Sequence, residues 1–283
     1  MPRRRSALYV PASNARALEK ARGLPCDVLI IDLEDAVASE AKHTARAQAV
    51  SALQSGEFRA GEVVVRVNGL DTEWGPADIA AVLPAGPAAL LLPKVDSVAA
   101  LQRAAVLLAD APQVALWAMI ETPAALLRLD AIAGSGGPLR CLVAGTNDLI
   151  KESGIEADVD RVPLQPGLFL LVMAARAHGL AVLDGVYNEL DDLDGLTRQC
   201  RQARAFGFDG KTLIHPSQVE IANDVWAPSA DEVDYAQRVI AAFEEATAEG
   251  RGVITVDGRM IENLHVDNAR RVLAVQAAIA ALG

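Results

Sequence analysis

Several carboxylates in the sequence follow short apolar runs, at positions where strands of a parallel sheet would end. Glu121 and Asp148 follow two such runs, and a third run ends in the acidic group Asp32, Glu34 and Asp35. The carboxyl ends of parallel strands meet at one edge of a sheet or barrel. Carboxylates gathered there repel one another unless a positive charge lies among them. The spacing therefore predicts a cation site.

A divalent cation held only by oxygen atoms fits this pattern. Such ligation favours Mg²⁺, with Mn²⁺ as an alternative, over zinc. Mg²⁺ usually takes one or two protein carboxylates, and we predict Glu121 and Asp148 as its ligands. Each residue has another interpretation. Glu121 could form an ion pair at the rim, and Asp148 could cap the helix that begins near Leu149.

Cationic side chains accompany the carboxylates. Arg66 ends a predicted strand, and its planar guanidinium suits bidentate binding of a substrate carboxylate. The same side chain could neutralise the acidic group that begins at Asp32, and both roles are compatible. Lys94 could form a Schiff base, although an acidic rim would keep it protonated. His215 is equally compatible with a structural role.

The elements that must position these residues alternate between short apolar runs and longer amphipathic segments. The eight predicted strands span residues 7–10, 27–33, 63–67, 89–92, 116–120, 140–144, 181–183 and 212–214. Because the runs are continuous rather than alternating, they indicate strands buried on both faces of a parallel sheet. Segments 98–108, 168–178 and 196–206 have helical spacing. Eight strand–helix units predict an α/β fold, the (β/α)₈ TIM barrel. An open doubly wound sheet is the alternative.

The strand–helix alternation stops after Trp226. We predict a catalytic barrel domain over residues 1–226 and a C-terminal helical extension over 227–283. Within the extension, a helix is expected to about Gly250, an extended segment over 251–257 and a second helix over 266–281.

Composition and charge limit the class of protein. The chain has 283 residues, of which 52% are hydrophobic, and a net charge of −11. This length can bury one large core, and the acidic balance argues against binding to nucleic acid or anionic membranes. No apolar stretch approaches the roughly 20 residues of a membrane span, and the first apolar run is too short for a signal peptide. We expect a cytoplasmic protein whose cysteines, Cys26, Cys141 and Cys200, are reduced.

An ordered set of segments resembles the citrate lyase β-subunit-like branch of the HpcH/HpaI aldolase family. The segments are Arg-Ser at 5–6, Leu-Tyr-Val-Pro at 8–11, Asp-Leu-Glu-Asp-Ala-Val at 32–37, Val-Arg-Val-Asn at 65–68, Leu-Pro-Lys at 92–94, Ile-Glu-Thr at 120–122, Gly-Thr-Asn-Asp at 145–148, Ile-His-Pro-Ser-Gln at 214–218 and Asp-Gly-Arg-Met-Ile-Glu at 257–262. The resemblance runs from about residue 5 to the end of the chain.

This resemblance implies a TIM barrel enzyme, an acyl-CoA lyase that uses Mg²⁺ held by Glu121 and Asp148. It implies that Arg66 binds the substrate and that Glu34 and Asp35 lie around the metal. The coenzyme A part of the substrate would contact a further set of residues. That set comprises Arg5, Pro11, His215, Pro216 and Gln218. The implied assembly is a homotrimer or a hexamer in which each C-terminal extension caps a neighbouring site.

The implied reaction is cleavage of a 3-hydroxyacyl-CoA, such as malyl-CoA or citramalyl-CoA, to acetyl-CoA and a 2-keto acid. One position departs from the family pattern, because the tail motif usually ends in an aspartate that acts as an acid or base. Here that residue is Glu262, whose carboxylate lies one methylene further out. Alternatives are the β subunit of a citrate lyase complex acting on citryl-acyl carrier protein, a metal-dependent pyruvate aldolase without a thioester, and a non-catalytic barrel.

Overall fold

The computed structural model describes residues 3–156, 160–248 and 254–280. Eight parallel strands close into a barrel in sequence order, and β8 pairs with β1. The strands are β1 Ser6–Pro11, β2 Val28–Asp32, β3 Glu62–Arg66, β4 Ala89–Leu92, β5 Ala115–Ile120, β6 Leu139–Ala144, β7 Ala181–Asp184 and β8 Gly210–Leu213. The predicted TIM barrel is confirmed.

Helices follow the strands and cover the outside of the barrel. They are α1 Ala15–Ala21, α2 Lys42–Ser55, α3 Gly75–Val82, α4 Val98–Leu107, α5 Pro123–Leu126, α6 Leu129–Ala133, α7 Thr146–Ser153, α8 Gln165–Ala177, α9 Leu193–Phe206 and α10 Ser217–Trp226. The three segments predicted as helical fall on α4, α8 and α9. Cys26, Cys141 and Cys200 are free and buried.

The barrel interior is filled by apolar side chains from alternate strand positions. Ala7, Ile30, Val64, Trp117 and Val143 belong to one buried cluster within it. Every second residue of a strand faces the same side. The inward-facing positions of each strand therefore continue into the residues that follow its carboxyl end, where active sites of such barrels lie. The chemistry-bearing side chains of the carboxyl ends therefore stand on a rigid, packed support.

Ion pairs close the opposite, amino-terminal end of the barrel. Arg4 forms a bidentate pair with Glu62 at 2.7 and 2.9 Å, and its guanidinium lies 4.6 Å from the centre of the Trp117 ring. Arg5 pairs with Asp27, which is 4% exposed. Each cation is matched by a carboxylate, so the removal of either partner would leave a largely buried charge unpaired.

The chain divides into two compact units, Met1–Val225 and Trp226–Gly283. In the second unit, α11 Ala230–Ala248 is followed by a hairpin of β9 Ile254–Val256 and β10 Arg259–Ile261 and then by α12 Asn263–Ala280. Asp257 and Gly258 both have positive φ, as a two-residue type I′ turn requires. The predicted extended segment 251–257 falls partly on this hairpin, and its residues 251–253 lie outside the described residues.

No helix within the described residues is long and apolar enough to cross a membrane.

Candidate active site

A pocket of about 290 Å³ opens at the carboxyl ends of the barrel strands. Its wall includes Asp35, Arg66, Glu121 and Asp148. The structure thus brings together charged residues from the second, third, fifth and sixth strand–helix connections. This is the end of a TIM barrel at which active sites lie.

Arg66 is buried at the end of β3 and is held by three carboxylates. Its Nε and Nη2 each donate to Asp32 at 2.6 Å, and its Nη1 lies 3.0 Å from Glu34 and 3.5 Å from Asp35. Its guanidinium also lies 4.8 Å from the centre of the Tyr9 ring. Burial opposes the charge of Arg66, but Asp32 outweighs that effect, so the pKa of Arg66 is raised. Neutralisation of the acidic group is therefore a role that this residue fulfils.

The loop after β2 is fixed in place by hydrogen bonds to its backbone. Asp32 accepts from the amides of Glu34 and Ala36 at 2.9 and 3.2 Å. Lys42 donates to the carbonyl oxygens of Leu33 and Glu34 at 2.8 and 2.7 Å. Because both ends of the loop are tied to buried groups, the side chain of Glu34 is held beside Arg66 in one orientation.

Glu34 has an unusual environment for a carboxyl group. Burial raises the pKa of Glu34 to about 8, although the nearby charge of Arg66 acts in the opposite direction and Asp35 adds to the rise. A carboxyl group that titrates close to neutral pH can accept and release a proton during a reaction. Glu34 is therefore suited to acid–base chemistry.

Glu121 directly follows β5 and is 2% exposed. Its Oε1 accepts a hydrogen bond of 2.6 Å from the backbone amide of Lys94. Burial raises the pKa of Glu121 to about 7, and the charge of Asp148 adds to the rise. Within the described residues no Lys, Arg or His forms an ion pair with Glu121, so the alternative of an ion pair at the rim is not what the structure shows.

Asp148 lies in the first turn of α7, whose N-cap is Gly145. The helix begins at Thr146, so the interpretation of Asp148 as an N-cap is wrong. A Cβ atom at position 145 would collide with the side chain of Glu121, so glycine is needed where the two elements meet. Glu121 and Asp148 therefore approach the same pocket from neighbouring connections.

Lys94 has a left-handed backbone with φ of 50°, which turns its amide towards Glu121. Burial lowers the pKa of its ammonium group, but Asp148, Glu34 and Glu121 outweigh this, so the pKa of Lys94 is raised. The side chain stays protonated, which argues against a Schiff base at this position.

The residues fit a divalent cation. Glu121 and Asp148 present only oxygen donors, and the charge of Asp148 raises the cost of ionising Glu121. Within the described residues no group of three or more His, Cys, Asp or Glu side chains is arranged to hold a metal. A site with two carboxylates suits Mg²⁺, which keeps the rest of its shell for water and substrate.

The predicted place of Arg5 at this rim is corrected by the structure. Arg5 precedes β1, and its Nε and Nη2 donate to Asp27 at 2.8 Å at the amino-terminal end of the barrel. A residue just before a parallel strand lies at the opposite end from the active site. Arg5 is therefore a structural residue of the barrel bottom.

Other residues predicted to contact coenzyme A follow β1 and β8. Pro11 ends β1 and is half-buried, and Pro216 is exposed. His215 is exposed, with Nδ1 2.8 Å from the hydroxyl of Ser217. Gln218 is buried, accepts from the amide of Ile214 at 2.9 Å and donates to the carbonyl of Tyr187 at 3.0 Å. Gln218 therefore fixes the loop after β8.

Glu262 lies in the second unit, between β10 and α12, and its side chain is exposed. Its backbone amide donates to Nδ1 of His265 at 3.0 Å, which closes the first turn of α12. The predicted acid–base role of Glu262 stays a prediction.

Sequence reasoning missed residues of the pocket wall, Tyr9 and Met119 among them. Tyr9 lies two residues before Pro11, and Met119 lies two residues before Glu121. Because residues two apart in an extended chain face the same side, this spacing could have identified both. Asp184, which ends β7, does not add a free charge to the rim. It is fully buried instead and neutralised by other side chains.

Residues 5–216 match the family described as HpcH/HpaI aldolase/citrate lyase. The chain belongs to this family. It is 51% identical over 277 residues to a (3S)-malyl-CoA thioesterase of Cereibacter sphaeroides, covering 98% of this chain and 96% of the relative. It is 35% identical over 279 residues to the citrate lyase subunit beta of Escherichia coli, covering 96% and 92%.

Solved structures agree with this placement. The protein CitE from Mycobacterium tuberculosis, in complex with magnesium, acetoacetate and coenzyme A, superposes with a TM-score of 0.78. The two chains are 29% identical, and the match covers 95% of this chain and 96% of that one. The family of this chain therefore includes proteins described with magnesium and coenzyme A.

Proposed function

We propose that this protein is a Mg²⁺-dependent enzyme that cleaves the carbon–carbon bond of a malyl-CoA-type thioester, releasing acetyl-CoA and a 2-keto acid. The observation that carries the proposal is that Glu121, Asp148 and Arg66 line one pocket. Glu34 lies directly behind this wall, 3.0 Å from Nη1 of Arg66. Citramalyl-CoA, with one more methyl group, is a second substrate of the same class.

Glu121 and Asp148 would hold the metal ion through their carboxylate oxygens. When bound, Mg²⁺ supplies Lewis acidity to the hydroxyl and carboxylate oxygens of the acyl group. The backbone amide of Lys94 keeps the Glu121 carboxylate aimed into the pocket through its 2.6 Å hydrogen bond. The substrate carbon that carries the hydroxyl would thus be held in one orientation.

The remaining groups move a proton and hold charge. Glu34, with a pKa near 8, is our candidate to take the hydroxyl proton at the start of cleavage. The electron pair of the broken bond passes to the thioester, where the positive charge of Arg66 favours the developing negative charge. A proton must then reach the methylene carbon, and we assign that role to Glu262 of a neighbouring copy in a homotrimer or hexamer.

Hydrolysis of the thioester is a second candidate reaction. It is favoured by the relatives named (3S)-malyl-CoA thioesterases, with which this chain shares 51% identity over almost its whole length. Hydrolysis would release malate and free coenzyme A from the same bound substrate. The step would need a base beside a water molecule, and Glu34 is suited to it by the same pKa.

The 35% identity to citrate lyase subunit beta supports a third candidate function, in which the substrate is a thioester of an acyl carrier protein. In that case the isolated chain would be nearly inactive on coenzyme A esters. The aldolase alternative, with no thioester, is disfavoured by the names of the relatives, and intact Glu121, Asp148 and Arg66 argue against a non-catalytic barrel.

Product analysis tests the proposal. The purified chain is incubated with (3S)-malyl-CoA and Mg²⁺, and the products are separated by liquid chromatography. Acetyl-CoA with glyoxylate indicates carbon–carbon cleavage, whereas malate with free coenzyme A indicates hydrolysis. An Asp148→Asn variant should lose either activity and keep its fold. Full activity in that variant would contradict the metal assignment.

A further inference from the structure

Tyr9 lies in the wall of the pocket, and among the described residues its hydroxyl group has no oxygen or nitrogen atom as a hydrogen-bond partner. Tyr9 is partly buried against the barrel core, and its hydroxyl lies 3.8 Å from the sulfur of Met119. A thioether is a weak acceptor. Buried tyrosine hydroxyls usually find a stronger partner, so this donor is available to a bound molecule.

Tyr9 marks the deep part of the pocket. Met119 lies in β5, and Glu121 follows directly after the last residue of that strand. Both line the pocket and they are two residues apart, so Met119 lies one layer below Glu121. The hydroxyl of Tyr9 meets Met119, and Tyr9 precedes Pro11, at the end of β1, by two residues. A ligand bound at Glu121 would therefore have the Tyr9 hydroxyl beneath it.

Most N–H groups of Arg66 are already engaged by carboxylates, so few remain to bind a substrate. Its Nε and Nη2 donate to Asp32, and its Nη1 is shared between Glu34 and Asp35. The ring of Tyr9 supports the guanidinium from one face, which fixes it towards those carboxylates. Burial raises the pKa of Tyr9, so its hydroxyl keeps its proton and remains a donor.

Coenzyme A is too large for a pocket of about 290 Å³ and must leave through the open mouth. The part of the substrate that reaches the floor is therefore the half that becomes the 2-keto acid. We propose that the Tyr9 hydroxyl donates a hydrogen bond to an oxygen atom of this half, so that Tyr9 is a substrate-binding residue. The inference rests on the proposed function.

The test is binding of a 2-keto acid without coenzyme A. Glyoxylate and pyruvate are titrated by calorimetry into the full chain with saturating Mg²⁺, for the wild type and for Tyr9→Phe. Phenylalanine keeps the ring beneath Arg66 and removes only the donor. A lost hydrogen bond predicts about tenfold weaker binding of both acids. Binding of Mg²⁺ alone and the thermal midpoint should not change.

Tyr235→Phe is the matched control, because Tyr235 lies in the second unit, beside Arg238. It should bind both acids as the wild type does. If Tyr9→Phe also binds them as the wild type does, the inference is overturned while the proposed function stands. If the wild type binds neither acid in the presence of Mg²⁺, the inference and the proposed function both fail.

Discussion

Replacing Glu121 by glutamine should stabilise the metal-free protein at alkaline pH. The carboxyl group is 2% exposed, and burial together with Asp148 raises its pKa to about 7. Glutamine has almost the same shape and keeps an oxygen atom that can accept from the Lys94 amide. The substitution therefore removes the buried charge with little change in packing.

The magnitude follows from the difference between the folded and unfolded pKa values. Between pH 4.5 and pH 7 the folded chain keeps a proton on Glu121 that the unfolded chain releases, so stability falls as the pH rises. Each pH unit is worth about 1.4 kcal/mol. Ionising Glu121 should therefore cost about 2 to 3 kcal/mol between pH 5 and pH 8, and Glu121→Gln should avoid this cost.

Urea unfolding in the presence of a chelator measures this cost. The free energy of unfolding is compared for the wild type and Glu121→Gln at pH 5, 6, 7 and 8, so that other titrating groups cancel in the difference. Glu73→Gln, at an exposed carboxyl of the loop before α3, is the matched control and should follow the wild type. A difference that stays constant across this pH range would refute the reasoning.

Further predictions concern the metal site and a buried ion pair. Gly145→Ala puts a methyl group against Glu121 and should weaken Mg²⁺ binding by about tenfold or more, as measured by calorimetry. Gly61→Ala, where the added methyl group has ordinary space around it, is the control and should bind Mg²⁺ as the wild type does. Mg²⁺ should bind about tenfold more weakly at pH 6 than at pH 8, because Glu121 must lose its proton first; pH-independent binding would contradict this. Asp184→Asn leaves Lys211 buried without its negative partner and should cost about 3 to 5 kcal/mol of stability, measured by urea unfolding; a loss below about 1 kcal/mol would contradict the reasoning.

Much of the barrel could be predicted because its strands are buried on both faces. Continuous apolar runs marked all eight, and the ends of β4 were predicted to the residue. The last strand was placed at 212–214, whereas β8 spans Gly210–Leu213. Lys211 lies within it, fully buried and paired with Asp184. A search for runs of apolar residues does not predict that a strand contains a buried lysine, because the carboxylate that neutralises the lysine is distant in sequence.

The candidate site was predictable where strand ends carry charge, and less so elsewhere. Glu121 and Asp148 stand at ends of strands that neighbour each other in the barrel, so strand order alone brings them to one pocket. Arg5 was assigned to the rim by resemblance, although its place before β1 puts it at the other end. Tyr9 and Met119 lie inside apolar runs, where nothing in the residue types separates pocket wall from core.

The central claim is that Glu121 helps to hold a metal on which chemistry with a malyl-CoA-type thioester depends. Consumption of (3S)-malyl-CoA by the purified full chain, with Mg²⁺ and with chelator, tests it most directly when Glu121→Gln is measured alongside. We expect consumption by the wild type with Mg²⁺, none with chelator, and a loss of at least about a hundredfold in the variant. Consumption that persists in chelator, or an unimpaired variant, would contradict the account.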